Sequence, residues 1–194
     1  KLELPKGYKV LTVSPDGNKI LLTGRDTESV IEARHDLWIV DDSDLVKPRI
    51  ENKLKCITEK LDRQYEDVCW TEKGLFVLHL EESRYNLVKI DEHGEFETIP
   101  LGEAFPSGFF SINKNGYLAF LGSSPTKLKE IYYGTPRENT WDITRVTTET
   151  EKFSHLDFGT VESIRWTRKD GTEIEGRLRK PSDFDPNKKY PLIV

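Results

Sequence analysis

The sequence predicts an all-β fold, a partial β-propeller of four-stranded antiparallel blades, and three observations carry that expectation. One grammar recurs three times: a short apolar strand, a Gly turn, a second apolar strand, a polar loop, then two more strands. The glycines of the first turns lie at 17, 74 and 116, so successive turns fall 57 and 42 residues apart. A propeller blade repeats every 40–50 residues or so, roughly the same interval. Helical periodicity is nearly absent, since only residues 27–34 and 54–62 show any and both stretches are short.

The first segment, YKVLTVSPDGNKILLTG, sets Val10, Leu11 and Val13 before Pro15-Asp16-Gly17 and Ile20, Leu21 and Leu22 after it. Pro presets φ at the first corner of such a turn, and Gly takes the positive φ that other residues avoid. Leu37, Trp38, Ile39 and Val40 then make residues 36–42 a further strand. In the second segment, strands are expected at 68–70, 75–80, 87–90 and 96–99, with turns at Glu72-Lys73-Gly74 and His93-Gly94. The third fills the same four places with residues 109–112, 117–121, 131–133 and 143–146, around the turn Asn115-Gly116. An enlarged loop at 25–35 and a tail at 43–55 account for the longer first interval. Three blades do not close a ring, so at least one more is expected before Lys1.

In an up-and-down meander the first-to-second and third-to-fourth turns fall at one end of each sheet. The second-to-third loops fall at the other end. Residues 25–35, 81–85 and 122–129 read as the longer loops of that second end, which is the end expected to meet a substrate or a partner domain.

Composition narrows the function classes. Hydrophobic residues make up 36% and charged residues 32% of the 194, which describes a globular chain with a heavily charged surface. No apolar run approaches the roughly 18 residues of a membrane span, and no signal peptide is visible at the start. With a net charge of −5 and acids and bases interleaved, neither a nucleic-acid nor a membrane partner is expected. The two cysteines, Cys56 and Cys69, and four scattered histidines have no metal-ligand spacing, so no metal and no cofactor is expected. Two reduced, half-buried thiols point to a cytoplasmic location. Met is absent, even at position 1, which fits a fragment or a processed product. Abundant Glu and Lys beside a single Gln, Gln64, resemble a thermophile's usage.

From Val161 the grammar changes. VESIRWTRKDGTEIEGRLRKP reads as a hairpin, with Ile164 and Trp166 before the turn Lys169-Asp170-Gly171 and Ile174 and Leu178 after it. A polar stretch at 182–189 follows, and then Tyr190-Pro191-Leu192-Ile193-Val194 is expected to open a buried apolar strand. Asp170-Gly171, Ile174, Gly176, Pro181 and this last run together resemble the junction of the prolyl oligopeptidase family of serine peptidases. The preceding blades, with Ser14-Pro15-Asp16-Gly17, are similar to that family's propeller and look closest to its acylaminoacyl peptidase branch.

The resemblance implies propeller blades over residues 1–158, then a junction hairpin and the first strands of an α/β-hydrolase domain over 159–194. It implies a Ser-Asp-His triad beyond Val194, with the nucleophile on a Gly-x-Ser-x-Gly elbow. No such elbow occurs in this sequence, so no catalytic residue is assigned and the chain alone is expected to be inactive. Its expected partners are its own hydrolase domain and the short peptides of the intact enzyme, and homo-oligomerisation stays open. The alternative is a stand-alone interaction propeller of the periplasmic TolB type, or a module of a tricorn-type assembly. The order hairpin, Pro, Tyr-Pro-Leu-Ile-Val argues against both.

Other groupings of reactive residue types read as structural. Glu81-Glu82 resembles the paired acids with which dipeptidyl peptidases of this family hold an amino terminus, but HLEESRYN does not match that motif. Asp41, Asp42 and Asp44 lack the Gly and closing Glu of an EF-hand. Ser154, His155 and Asp157 are triad types, but sequence neighbours form no relay without a fold that aims them. Trp38, Trp70, Trp141 and Trp166 read as blade and junction core.

Overall fold

The computed structural model describes every residue except 1–3, 25–34, 45–52, 62–63, 82–83, 125, 139 and 194. Among the described residues, β1 (Lys9–Val13), β2 (Lys19–Gly24), β3 (Asp36–Asp41) and β4 (Lys55–Cys56) form one antiparallel sheet in sequence order. The second blade is β5 (Tyr65–Thr71), β6 (Gly74–Glu81), β7 (Arg84–Ile90) and β8 (Phe96–Thr98). The third is β9 (Phe105–Ile112), β10 (Leu118–Ser124), β11 (Lys127–Pro136) and β12 (Trp141–Arg145). A two-stranded hairpin, β13 (Thr160–Thr167) with β14 (Glu173–Lys180), follows them. The fold is all-β, and among the described residues it comprises three propeller blades and a hairpin that do not close into a ring.

Four of the turns share one construction. In three of them the N–H of Gly17, Gly94 or Gly116 donates back to the carbonyl of Ser14, Asp91 or Asn113, at 2.9, 3.1 and 2.8 Å. The hairpin repeats it with Gly171 and Arg168 at 3.0 Å. Gly116 sits at φ 84°, a left-handed conformation that costs a β-carbon and that glycine takes freely. Asn113 Oδ1 then accepts from the N–H groups of Asn115 and Tyr117, at 2.9 and 3.0 Å, satisfying backbone donors that the turn would otherwise orphan.

Successive side chains of a strand point to opposite faces, and each blade uses both. Leu75 and Val77 of β6 pack with Leu21, Leu37 and Ile39 of the first blade. Phe76 and Leu78 of the same strand pack with Phe110, Ile112, Leu118, Phe120 and Trp141 of the third. The middle blade is therefore buried on both faces, which explains why Leu75-Phe76-Val77-Leu78 reads as a continuous apolar run and not as an alternating one. Polar ties add to this packing. Lys19 pairs with Glu92 and Lys60 with Glu95 between the first two blades. Cys69 Sγ lies 3.6 Å from the Ile112 carbonyl between the second and third.

Several expectations are corrected. Residues 54–61 are not helical: Lys55 and Cys56 pair with Ile39 and Trp38 as the short fourth strand of the first blade. The Leu37 N–H donates to Thr58 Oγ1 at 3.0 Å and its carbonyl accepts from Ile57 N at 2.9 Å. Those edge groups need partners, and the chain then makes a single turn, with Leu61 N donating to the Thr58 carbonyl at 3.1 Å, that buries Ile57 and Leu61 between the blades. The other stretch with helical period, 27–34, lies outside the described residues.

The loops at 81–85 and 122–129 are shorter than expected. Cross-strand pairing continues to Glu81↔Arg84 and Ser124↔Lys127, leaving two-residue connections. The terminal run is not a buried strand. Leu192 and Ile193 are 75% and 94% exposed and no strand among the described residues pairs with them, and a strand needs a ladder partner. Tyr190 instead folds back on Phe184, with ring centroids 5.1 Å apart, and its hydroxyl accepts from Asp185 N at 3.0 Å.

Candidate functional site

The ends of β7, β9, β10 and β11 that face the hairpin enclose a cleft of about 670 Å³. Its walls come from the second-to-third-strand ends of the second and third blades and from one face of the hairpin. Register decides which hairpin face that is. Val161 pairs with Arg179 and Ser163 with Arg177, so these four share a face, while Ile164, Trp166, Ile174 and Leu178 lie on the other. The first face lines the cleft.

Five cations, Arg84, Lys127, Lys129, Arg177 and Arg179, line the cleft with no carboxylate among the described residues that do so. In a chain with a net charge of −5 this is a local segregation of charge. Cations around a concave, partly apolar wall focus a positive potential. Arg84 is held in place, its guanidinium 4.8 Å over the Phe105 ring, an attraction between cation and ring quadrupole. Arg179 donates to the Phe158 carbonyl. Ser107, also in the wall, has a buried Oγ with no hydrogen-bond partner among the described residues.

The hairpin is held through the segment that follows β12. Glu130 on β11 has no exposed surface. Its carboxylate accepts from Thr147 Oγ1 at 2.5 Å, Thr150 N at 2.7 Å and Glu149 N at 3.0 Å. Thr147 and Thr150 in turn accept from Ile131 N and Leu128 N, at 2.9 and 3.1 Å. One buried acid thus ties the connection that leads into the hairpin to the strand carrying Lys127 and Lys129.

The residues singled out from the sequence fall elsewhere. Glu81 ends β6, exposed, and accepts from Asn86 Nδ2 at 2.7 Å, while Glu82 lies outside the described residues. Asp41 is exposed at the end of β3, and Asp42 and Asp44 lie in a short 3-10 turn. No group of three or more His, Cys, Asp or Glu among the described residues could hold a metal. Asp157 accepts from Ser182 Oγ and, at 2.8 Å, from Gly159 N. The Ser182 hydroxyl is the main reason its carboxyl titrates below the usual range. Asp157 therefore braces the start of the hairpin.

Trp38 meets Tyr8 edge-on at 5.5 Å, Trp70 packs against the first inter-blade core, and Trp141 lies in the second. Trp166 departs from the core reading, being 48% exposed on the outer hairpin face. Cys56 and Cys69 are free thiols and half-buried, and burial pushes the Cys56 thiol up. No helix among the described residues is long and apolar enough to cross a membrane.

Solved structures share this architecture. The chain is similar to the acylaminoacyl peptidase of Pyrococcus horikoshii, with a TM-score of 0.60 and 19% identity over 87% of this chain and 24% of that one. An acylaminoacyl peptidase in complex with Z-Gly-Gly-Phe-chloromethyl ketone matches with a TM-score of 0.67 and 21% identity, over 94% of this chain and 26% of its own. The β-propeller domain of the trilobed protease from Pyrococcus furiosus matches with a TM-score of 0.53 and 21% identity, over 76% and 40%. No family model and no curated protein matches the sequence. The chain spans about a quarter of the two acylaminoacyl peptidases. At these identities the likeness shows the fold: blades of a β-propeller as found in peptidases.

Proposed function

We propose that the chain is the non-catalytic propeller part of a serine peptidase of the prolyl oligopeptidase family, acylaminoacyl peptidase-like. Residues 1–158 are the blades, and 159–194 are the junction and the start of an α/β-hydrolase domain. In the intact enzyme that domain hydrolyses short peptides, acylated ones included, by nucleophilic acyl transfer. The blades cap its active site and restrict the size of substrate that reaches it. The location is cytoplasmic.

The observation that carries this reading is continuity: blades, connection and hairpin follow in one order, and the likeness to an acylaminoacyl peptidase runs over 94% of the chain. The Ile164 and Trp166 side chains, 37% and 48% exposed on the outer hairpin face, fit a sheet face that a further domain covers. The sequence of the complete protein tests it. A His-Gly-Gly stretch followed by Gly-x-Ser-x-Gly is expected within about a hundred residues after Val194. A complete protein without that elbow contradicts the reading.

A further inference from the structure

The cleft between the blades and the hairpin has a lining of two kinds. Arg84, Lys127 and Lys129 supply charge, while Tyr85, Phe105 and Leu128 supply apolar and aromatic surface. A bare inorganic anion would use only the first kind. An organic anion with an apolar body would use both, and a volume of about 670 Å³ lies in the range of clefts that hold a small organic ligand. The Phe105 ring fixes the Arg84 guanidinium before any ligand arrives, which reduces the ordering cost of binding. Ser107 Oγ, buried without a partner in the same wall, is a donor that a carboxylate would satisfy.

We infer that this cleft binds the carboxylates of a short acidic peptide, with Arg84, Lys127 and Lys129 receiving the charge. The inference rests on the reading above for the ligand being a peptide. Two carboxylate sources share this chemistry, the peptide's C-terminus and an Asp or Glu side chain. The cleft lies at the blade ends next to the junction, so a bound peptide would be fixed on the side of the proposed hydrolase domain.

Titration of the ¹⁵N-labelled chain with N-acetyl-Ala-Phe-Glu tests this, with three companions: the C-terminal amide, the Gln analogue, and the Gln amide, which has no charge. The tripeptide acid is expected to shift the amides of Arg84, Tyr85, Ser107 and Lys129. Each single-carboxylate form binds more weakly, and the uncharged form loses the shifts. Whichever of the two retains more affinity identifies the source that dominates. The double variant K127Q/K129Q, confined to exposed side chains, is expected to weaken the acid by about tenfold, the loss of a charge-assisted contact.

Equal binding of the uncharged peptide overturns the inference. So do shifts elsewhere on the chain, an unchanged affinity in K127Q/K129Q, or inorganic phosphate or polyphosphate binding as tightly as the peptide. The wild-type shift map needs no variant to fold. An absent serine elbow in the complete protein would overturn the peptidase reading and leave the binding result as measured, so the two failures are distinct.

Discussion

Trp141→Ala is expected to destabilise the chain by about 3–5 kcal/mol, the cost of removing a large aromatic from a packed core. For a chain of this size that lowers the melting temperature by roughly 10 °C. Trp141 lies on β12, the last strand of the third blade, yet its ring meets Phe76 of the second blade at 5.6 Å and 69°. Its indole N–H donates to the Gly116 carbonyl at 2.7 Å. Gly134 leaves room for it, since a β-carbon there would lie 3.0 Å from Trp141 Cβ and Cδ1.

Trp141 therefore joins two blades and also closes one. Trp141→Phe should cost less, mainly the hydrogen bond at about 1 kcal/mol. Because Trp141 and Phe76 touch, the double variant with Phe76→Ala should fall short of additivity by about 1 kcal/mol. Additive effects, or a melting curve that splits into separate blade transitions, would show that the blades do not stack cooperatively.

Glu130→Gln is expected to lower the melting temperature by roughly 5 °C or more at neutral pH, and the size of the drop should depend on pH. Burial alone would raise the Glu130 carboxyl. The Thr147 hydroxyl, Thr150 through its N–H and hydroxyl, and the Glu149 N–H outweigh burial together and hold the carboxyl near 2, against an ordinary 4.5. A depressed folded-state value means the unfolded chain takes up the proton first, so folding is favoured by the ionised group.

That contribution is complete above about pH 4.5 and is lost as pH falls towards 2. Melting curves of wild type and Glu130→Gln should therefore converge over that window. Asp16, Asp91 and Asp170 also titrate low, through bonds led by the Ser14 hydroxyl, the Glu95 N–H and the Thr172 N–H respectively. They are present in both proteins and cancel in the difference. A gap that stays constant from pH 7 to pH 2 would mean that Glu130 is not held as an ion.

What was legible in the sequence follows from how far each signal reaches. Turns are local, and Asp16-Gly17, Asn115-Gly116 and Asp170-Gly171 announce themselves within a few residues. Strand interiors with three or more apolar residues were equally plain. The fourth strand of the first blade was not, because Lys55 and Cys56 span too little chain to show a period. The extensions of β6 and β11 towards their turns are polar, and only pairing with the neighbouring strand reveals them.

Long-range juxtaposition is harder still. Nothing in LKEIYY marks Glu130 as buried, since the groups that hold it are a hydroxyl and backbone N–H donors 17–20 residues away. The cleft draws its cations from three separated stretches, and each reads locally as ordinary surface charge. The second-to-third connections of the second and third blades do gather at one end of the sheets, and the cleft lies there. The terminal run Tyr190-Pro191-Leu192-Ile193 carries a strand's composition, but no strand among the described residues pairs with it.

The central claim, that these blades serve a serine peptidase whose chemistry lies outside them, is tested most directly with a fluorophosphonate probe. The probe is applied in parallel to this chain and to the complete protein. The account predicts no labelling of the 194-residue chain and stoichiometric labelling of the complete protein at a serine beyond Val194. A labelled serine within the blades or the hairpin, or a complete protein that takes up no probe, would contradict it.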